Sequence, residues 1–135
     1  MTVRAHDNDR LWDASASAMS HVVSASGRLV AVSGQVALDA DGQLVGPGDF
    51  EAQAVQVFEN LQAALHSAGA TFADVIKLGS YLQDISELGT LREVRSRYLV
   101  EPFPAATAVE ARLATGDFLI EIDALAVVDA NRGPV

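Results

Sequence analysis

The residues of this chain that can do chemistry are few and mostly acidic. In the stretch EPFPAATAVEARLATGDFLIEIDALAV, residues 101–127, Glu121 and Asp123 stand two positions apart among aliphatic side chains. In an extended strand that spacing puts both on one face with Leu119, Leu125 and Val127, while Ile120, Ile122, Ala124, Ala126 and Val128 form the other. A carboxylate partly withdrawn from water can hold a water molecule and relay its proton. That is the chemistry of hydrolysis without a covalent nucleophile. Two readings stay open for Glu121: that base, or a carboxylate hydrogen-bonded across a subunit interface. Asp123 reads as an exposed strand end or an interface partner before it reads as a catalytic group. Ser33 could donate a hydrogen bond to a ligand, and Ser33-Gly34 inside an apolar strand is also a bulge or a device for close approach.

Other chemistries find no support. The chain has no cysteine, so no disulfide, thiol nucleophile or Cys-based metal site can be built. His6, His21 and His66 are not at metal-ligand spacing, so no metal is expected, and no sequence feature asks for a cofactor. The run GPGD, residues 46–49, lacks the Lys-Ser/Thr of a nucleotide-binding loop and reads as a turn into a helix. Nine Lys plus Arg against 18 Asp plus Glu give a formal charge of −9, which opposes a phosphate backbone and disfavours nucleic acid as a partner. No apolar run approaches the roughly 20 residues needed to cross a bilayer, and the N-terminus lacks the apolar core of a secretion signal. The expectation is a soluble, cytoplasmic protein without a membrane partner.

The elements that must position these residues follow from periodicity. Half of the 135 residues are apolar, enough for one domain to close a core unaided. Residues 1–19 show no sustained period and read as an irregular leading segment, with Trp12 pinning it to the surface; the domain is expected over 20–130, with a short tail at 131–135. HVVSASGRLVAVSGQVAL, residues 21–38, reads as two strands joined at Ser26-Gly27 in an antiparallel hairpin. Phe50, Ala54, Val57, Phe58, Leu61, Leu65 and Ala68 recur at helical spacing, between Asp49 as cap and Gly69 as terminator. DVIKLGSYLQD follows as a strand, and SELGTLREVRSRYLVE as a second helix with Ser86 as cap and Leu88, Leu91, Val94 or Arg95, and Tyr98 inward. Arg92, Arg95 and Arg97 in that helix suit its dipole. Pro102 and Pro104 end it.

Strands alternating with helices require crossovers, hence parallel directions for the strands so linked and two helices on one face of a mixed sheet. The fold class is therefore α+β. The other face, on which Glu121 and Asp123 stand with Leu and Val, would leave much sheet uncovered in a monomer, so association through that face is expected, with any site where copies meet.

The combined pattern resembles the RidA/YjgF family, also labelled endoribonuclease L-PSP. The resemblance covers about residues 20–128: Ser-Gly-Gln on an early strand, a long helix, GATFADVIKLGSYLQDISEL, a second helix, a Pro-Ala pair opening a strand, and a final Glu-Ile-Asp strand. It implies a chorismate-mutase-like fold, a homotrimer with a small-molecule ligand in clefts between subunits, and hydrolysis of reactive enamines and imines to 2-keto acids and ammonia. By the same resemblance Ser33 and Gly34 match the cleft-lining Ser-Gly, and Glu121 matches the glutamate that holds the attacking water. Family deaminases read Pro-Ala-Arg, the arginine clamping the substrate carboxylate; this chain reads Pro104-Ala105-Ala106, followed by Thr107. A bidentate guanidinium supplies geometry and charge that alanine cannot. No tyrosine stands near Ser20 and His21, where those deaminases carry one facing the cleft. Arg92 occupies a position the family fills with a cleft-facing asparagine, and could restore a cation there or pair with Glu87, Glu93 or Glu101 on the surface. The resemblance thus implies either a hydrolase of imines or related carbonyl metabolites with an altered substrate range, or a non-catalytic small-molecule-binding or regulatory trimer.

Overall fold

The computed structural model describes residues 3–132. It is an α+β fold in which two helices cover one face of a four-stranded mixed sheet. The strands are β3 (Arg28–Gln35), β4 (Val75–Leu82), β5 (Ala105–Glu110) and β6 (Ile120–Val128), in the order β3-β6-β4-β5. Two short strands, β1 (Arg4–His6) and β2 (Val22–Ser24), pair antiparallel with each other. β4 and β5 run parallel, and β6 is antiparallel to β3 and β4. The strands joined through helices therefore share a direction, as a crossover demands.

The helix α1 (Phe50–Ser67) forms where the apolar spacing places it. Asp49 caps it, accepting a hydrogen bond from the Ala52 amide at 3.1 Å. Gly69 ends it with φ of 75°: its amide donates to His66 O at 3.0 Å and that of Ala70 to Leu65 O at 2.9 Å, the paired bonds of a glycine C-cap. The second helix, α2 (Leu88–Tyr98), buries Leu91, Val94 and Arg95. Its start corrects the expected cap. A 3-10 turn over Ile85–Glu87 precedes it, and Asp84 rather than Ser86 closes that turn, accepting from the Ser86 amide at 2.9 Å. The core lies between helices and sheet: Phe58, Leu61 and Leu65 of α1 meet Leu78 and Leu82 of β4 and Ile120 and Ile122 of β6, and Phe58 stacks on Tyr98 with ring centroids 5.2 Å apart.

The expected hairpin at Ser26-Gly27 does not form. β2 pairs with β1, and β3 pairs along its length with β6. The physical reason is reach. An eight-residue strand gains a full ladder beside the nine residues of β6, whereas β2 offers three. Gly27, at φ of 144°, lies so close to Val128 that a side chain there would overlap the Val128 carbonyl. The leading segment is likewise more ordered than its composition suggests. It contains β1, and the buried Arg95 of α2 donates through Nη2 to Ser17 O, tying the segment to the helix layer. Burial, and then the neighbouring charge of Arg92, pull the Arg95 guanidinium pKa down. Ser20 forms a parallel bridge to Ala105, so the β1–β2 ribbon is anchored at the start of β5. At the other end, Arg132 grips Asp74 through two nitrogens at 2.6 and 2.7 Å and donates to Gly69 O at 2.7 Å, so contacts with the domain continue past residue 130.

Candidate functional site

The face of the sheet away from the helices carries the acidic cluster. Register alone assigns its members: Tyr81 lies opposite Glu121, Gly79 opposite Asp123, and Lys77 opposite Leu125. On the far side Lys77 and Gly79 oppose Ala105 and Thr107. Residues two apart share a face, so Glu121, Asp123, Tyr81, Lys77, Ala105 and Thr107 all stand on this open side. Ser33 is exposed on β3.

Two glycines make room for the two carboxylates. Between Val32 and Gln35 the pairing of β3 with β6 slips, Val32 opposing Ala124 and Gln35 opposing Ile122, which is a bulge at Ser33-Gly34. A methyl group on Gly34 would overlap the Glu121 carboxylate, so the bulge glycine is the seat of that side chain. Gly79 does the same for Asp123: an added Cβ would come within 2.5 Å of Oδ1 and 3.1 Å of the Tyr81 hydroxyl. That hydroxyl donates to Asp123 Oδ2 at 3.0 Å. The bond, with the charge of Asp123, a degree of burial and the charge of Glu121 behind it, pushes the Tyr81 pKa up. Lys77 donates to Thr107 Oγ1 at 3.0 Å and is the only lysine of the chain. The approach to β6 is fixed from the core side by the buried Gln53, whose amide nitrogen donates to Gly46 O and Asp117 O while its oxygen accepts from the Leu119 amide at 2.9 Å. Glu121 begins two residues later.

The residues singled out from sequence thus separate into two groups. Ser33, Gly34, Ala105, Thr107 and Glu121 belong to the open face. Ala106 opposes the buried Leu78 and touches the core, and Arg92 is exposed on α2. One chain does not bring the second group to the first. Among the described residues Arg92 makes no ion pair, neither with Glu87, Glu93 and Glu101 nor with any other carboxylate. Sequence reading passed over Gly79, Tyr81 and Lys77, although their alternation in KLGSY was visible; what it lacked was the register that puts them beside Glu121 and Asp123.

A second concavity lies at the margin of β5. A cavity of about 820 Å³ runs between the leading segment and the approach to β5, lined among others by Trp12, Ser20, His21, Glu101 and Phe103. Trp12 is 60% exposed, and His21 meets it edge-on with ring centroids 5.0 Å apart. No helix among the described residues is long and apolar enough to cross a membrane.

Comparison with known proteins fits this arrangement. The family model described as Endoribonuclease L-PSP matches residues 12–128. A RutC family protein of Pyrococcus abyssi is 38% identical over 100 residues, covering 74% of this chain and 79% of its own. The 2-iminobutanoate/2-iminopropanoate deaminase of Rattus norvegicus is 38% identical over 101 residues, covering 74% of this chain and 73% of its own. Among solved structures, YyfB of the Rid protein family from Yersinia pestis superposes with a TM-score of 0.83 at 34% identity, over 95% of this chain and all of that one. The matched span takes in the bulge at Ser33-Gly34 and the Glu121 strand seated on it, and the chain belongs to the endoribonuclease L-PSP family of RidA/YjgF proteins.

Proposed function

We infer that the chain hydrolyses small imines, enamines or related carbonyl metabolites by water addition, in clefts formed where the open face of one copy meets a neighbour in a homotrimer, in the cytoplasm. The observation that carries this reading is the seating of the Glu121 carboxylate on Gly34 at the strand bulge. A glutamate so held, half-buried and without an ion pair among the described residues, suits the holding and deprotonation of a water. Relatives named as 2-iminobutanoate/2-iminopropanoate deaminases support the reaction class. The uncovered side on which Glu121 stands, with Leu29 and Leu125 exposed, supports a cleft completed by a second copy. Ala106 in place of the clamping arginine shifts the preferred substrate away from imines that depend on a bidentate carboxylate contact.

The test is turnover. An amino-acid oxidase generates 2-iminopropanoate from alanine, and its clearance is followed with wild type and Glu121→Gln. The variant keeps the shape and loses the base, and its rate should fall about hundredfold while thermal unfolding stays unchanged. Equal rates would remove Glu121 from the chemistry. The missing guanidinium at Ala106 favours one other reading, a non-catalytic trimer that binds small carbonyl compounds. Saturable pyruvate binding without any imine clearance would select it.

A further inference from the structure

Glu121 and Asp123 stand on one face of β6, yet their carboxylates lean to opposite sides. That of Glu121 lies over β3, in the space a Gly34 side chain would take, and that of Asp123 lies over β4, in the space above Gly79. Directly opposite Glu121 in the pairing of β4 with β6 is Tyr81. Side chains paired in this way start about 5 Å apart at Cβ, so register makes Glu121 the natural acceptor for the phenol. The hydroxyl goes instead to the diagonal neighbour, donating to Asp123 Oδ2 at 3.0 Å. Among the described residues no side chain donates to Glu121. One hydroxyl thus stands between two carboxylates, and only one of them holds it.

We propose that Asp123 is a positioning residue for the reaction, keeping the Tyr81 hydroxyl to itself and so leaving the oxygens of Glu121 free for the attacking water. This rests on the imine-hydrolase reading above and gives the second carboxylate of the strand a part in it. A hydroxyl bonded to a carboxylate is a strong, short contact. On Glu121 it would occupy an oxygen that the water needs and stabilise the charged form of the base. Neither Asp123 nor Tyr81 exchanges a proton with the substrate, and the phenol stays protonated throughout.

Gly79 makes the diversion possible. Any side chain there would press on both partners, on Asp123 Oδ1 at 2.5 Å and on the Tyr81 hydroxyl at 3.1 Å, so the glycine lets the pair close over the strand. Nothing else on this side competes for the hydroxyl. The neighbour of Tyr81 on β5 is Val109, and Ala105 and Thr107 complete the same face of that strand without a charge. Lys77, the one cation of β4, is engaged by Thr107 at 3.0 Å. The bond to Asp123, then the charge of that residue, a degree of burial and the charge of Glu121 all push the Tyr81 pKa up, so the phenol responds to both carboxylates and reports which one holds it.

The experiment compares wild type, Asp123→Asn, Asp123→Ala and the double variant Asp123→Ala/Tyr81→Phe in the 2-iminopropanoate assay. Alanine releases the hydroxyl to Glu121 and should lower kcat about tenfold. Asparagine keeps an oxygen for the hydroxyl and should stay within about threefold of wild type. Removing the hydroxyl as well should bring the alanine variant back to within about threefold, a recovery that a merely structural role for Asp123 does not produce. Equal losses in Asp123→Ala and the double variant would overturn the proposal, as would Asp123→Asn as slow as Asp123→Ala, or Asp123→Ala as fast as wild type. An ultraviolet titration reads the same exchange without turnover. In Asp123→Ala both phenols of the chain should still ionise later than free tyrosine, because Glu121 has taken the hydroxyl, and adding Glu121→Gln should return one of them toward the ordinary range. A phenol already back in that range in Asp123→Ala, with wild type turning over, overturns this proposal alone; a wild type with no turnover overturns the hydrolase reading and this proposal together.

Discussion

On the helix side of β6, Ile120, Ile122, Ala124, Ala126 and Val128 are all buried, while on the other side Glu121 and Asp123 are half-covered and Leu125 is exposed. From Ile120 to Ala126 the strand thus supplies a sealed surface and an open one by its period of two, while Val127, on the open side, is buried. The open face is not ordinary solvent surface. It presents Leu29 at 63% exposure and Leu125 beside two carboxylates that each rest on a glycine. Apolar area next to seated carboxylates is what a surface awaiting a partner and a ligand looks like, and the contrast separates stability from chemistry along one strand.

The contrast breaks most visibly by truncation. Ile122→Ala removes a fully buried side chain between α1 and the sheet, and should cost about 3–4 kcal/mol in urea unfolding. Leu29→Ala on the open face should cost under about 1 kcal/mol in the stability of the isolated chain. Its effect should instead be on assembly: the mass from sedimentation at micromolar concentration should fall from trimer toward monomer relative to wild type. Similar unfolding costs for both variants, with no change of mass, would mean that the open face is only a weaker part of the core.

How much of this was legible without the structure depends on how local each determinant is. The cap at Asp49, the terminator at Gly69 and the alternation of β6 depend on neighbours within a turn or a strand, and they were readable. The pairing of β3 was not. Ser26-Gly27 has the residues of a hairpin turn, but Gly27 is needed for its closeness to Val128, about a hundred positions away in sequence. β1 was missed because three residues, Arg-Ala-His, carry no period. Glu121 and Asp123 could be placed on one face by counting, whereas Ser33 and Gly34 were tied to Glu121 only by the family resemblance, because their meeting depends on the bulge in the β3–β6 pairing. That Arg92 and Ala106 fall on the other layer followed from register and helix rotation, which no single segment records.

A second prediction sharpens the stability side. Arg132 closes the sealed half by meeting the buried Asp74 with two hydrogen bonds. Burial alone would raise the Asp74 pKa, but the bonds from Arg132 and Thr71 outweigh it and hold the carboxyl below its ordinary value. A lowered carboxyl pKa stabilises the fold above the unfolded value, near about 3.9, and that contribution is lost as pH falls through the native value. Arg132→Leu should cost roughly 2–3 kcal/mol at neutral pH and lessen the loss of stability seen on acidification below about pH 4. An unchanged acid limb would place the acid sensitivity elsewhere.

A third prediction asks whether a neighbour uses the helix side of β5 as well as the open face. If Arg92 provides the cation that Ala106 lacks, Arg92→Ala should weaken pyruvate binding by about 1.5 kcal/mol or more, roughly tenfold in calorimetry. Affinities agreeing within twofold would confine Arg92 to the surface of α2.

The smallest effect belongs to the open face itself. Tyr81 donates to Asp123, and that bond, followed by the charge of Asp123, a degree of burial and the charge of Glu121, pushes its pKa up. Tyr98, the other tyrosine, is raised first by burial and then by Glu59. A raised pKa means that the contribution of each to stability is fully present below the unfolded value of about 10 and is lost as pH rises through the native value. An ultraviolet titration of the native protein should therefore show both phenols ionising later than free tyrosine. Asp123→Asn removes the charge while keeping an oxygen that can accept the hydroxyl, so one of the two phenols should return toward the ordinary range and the other should stay. The same substitution should leave the midpoint of urea unfolding at neutral pH nearly unchanged, because Asn keeps an acceptor for the Tyr81 hydroxyl and only the charge of a half-covered contact is lost. If Asp123→Asn instead abolishes folding or leaves both phenols untouched, the Tyr81–Asp123 pair is not the autonomous open-face unit that its geometry describes, and the division between a stabilising face and a chemical one fails at its centre.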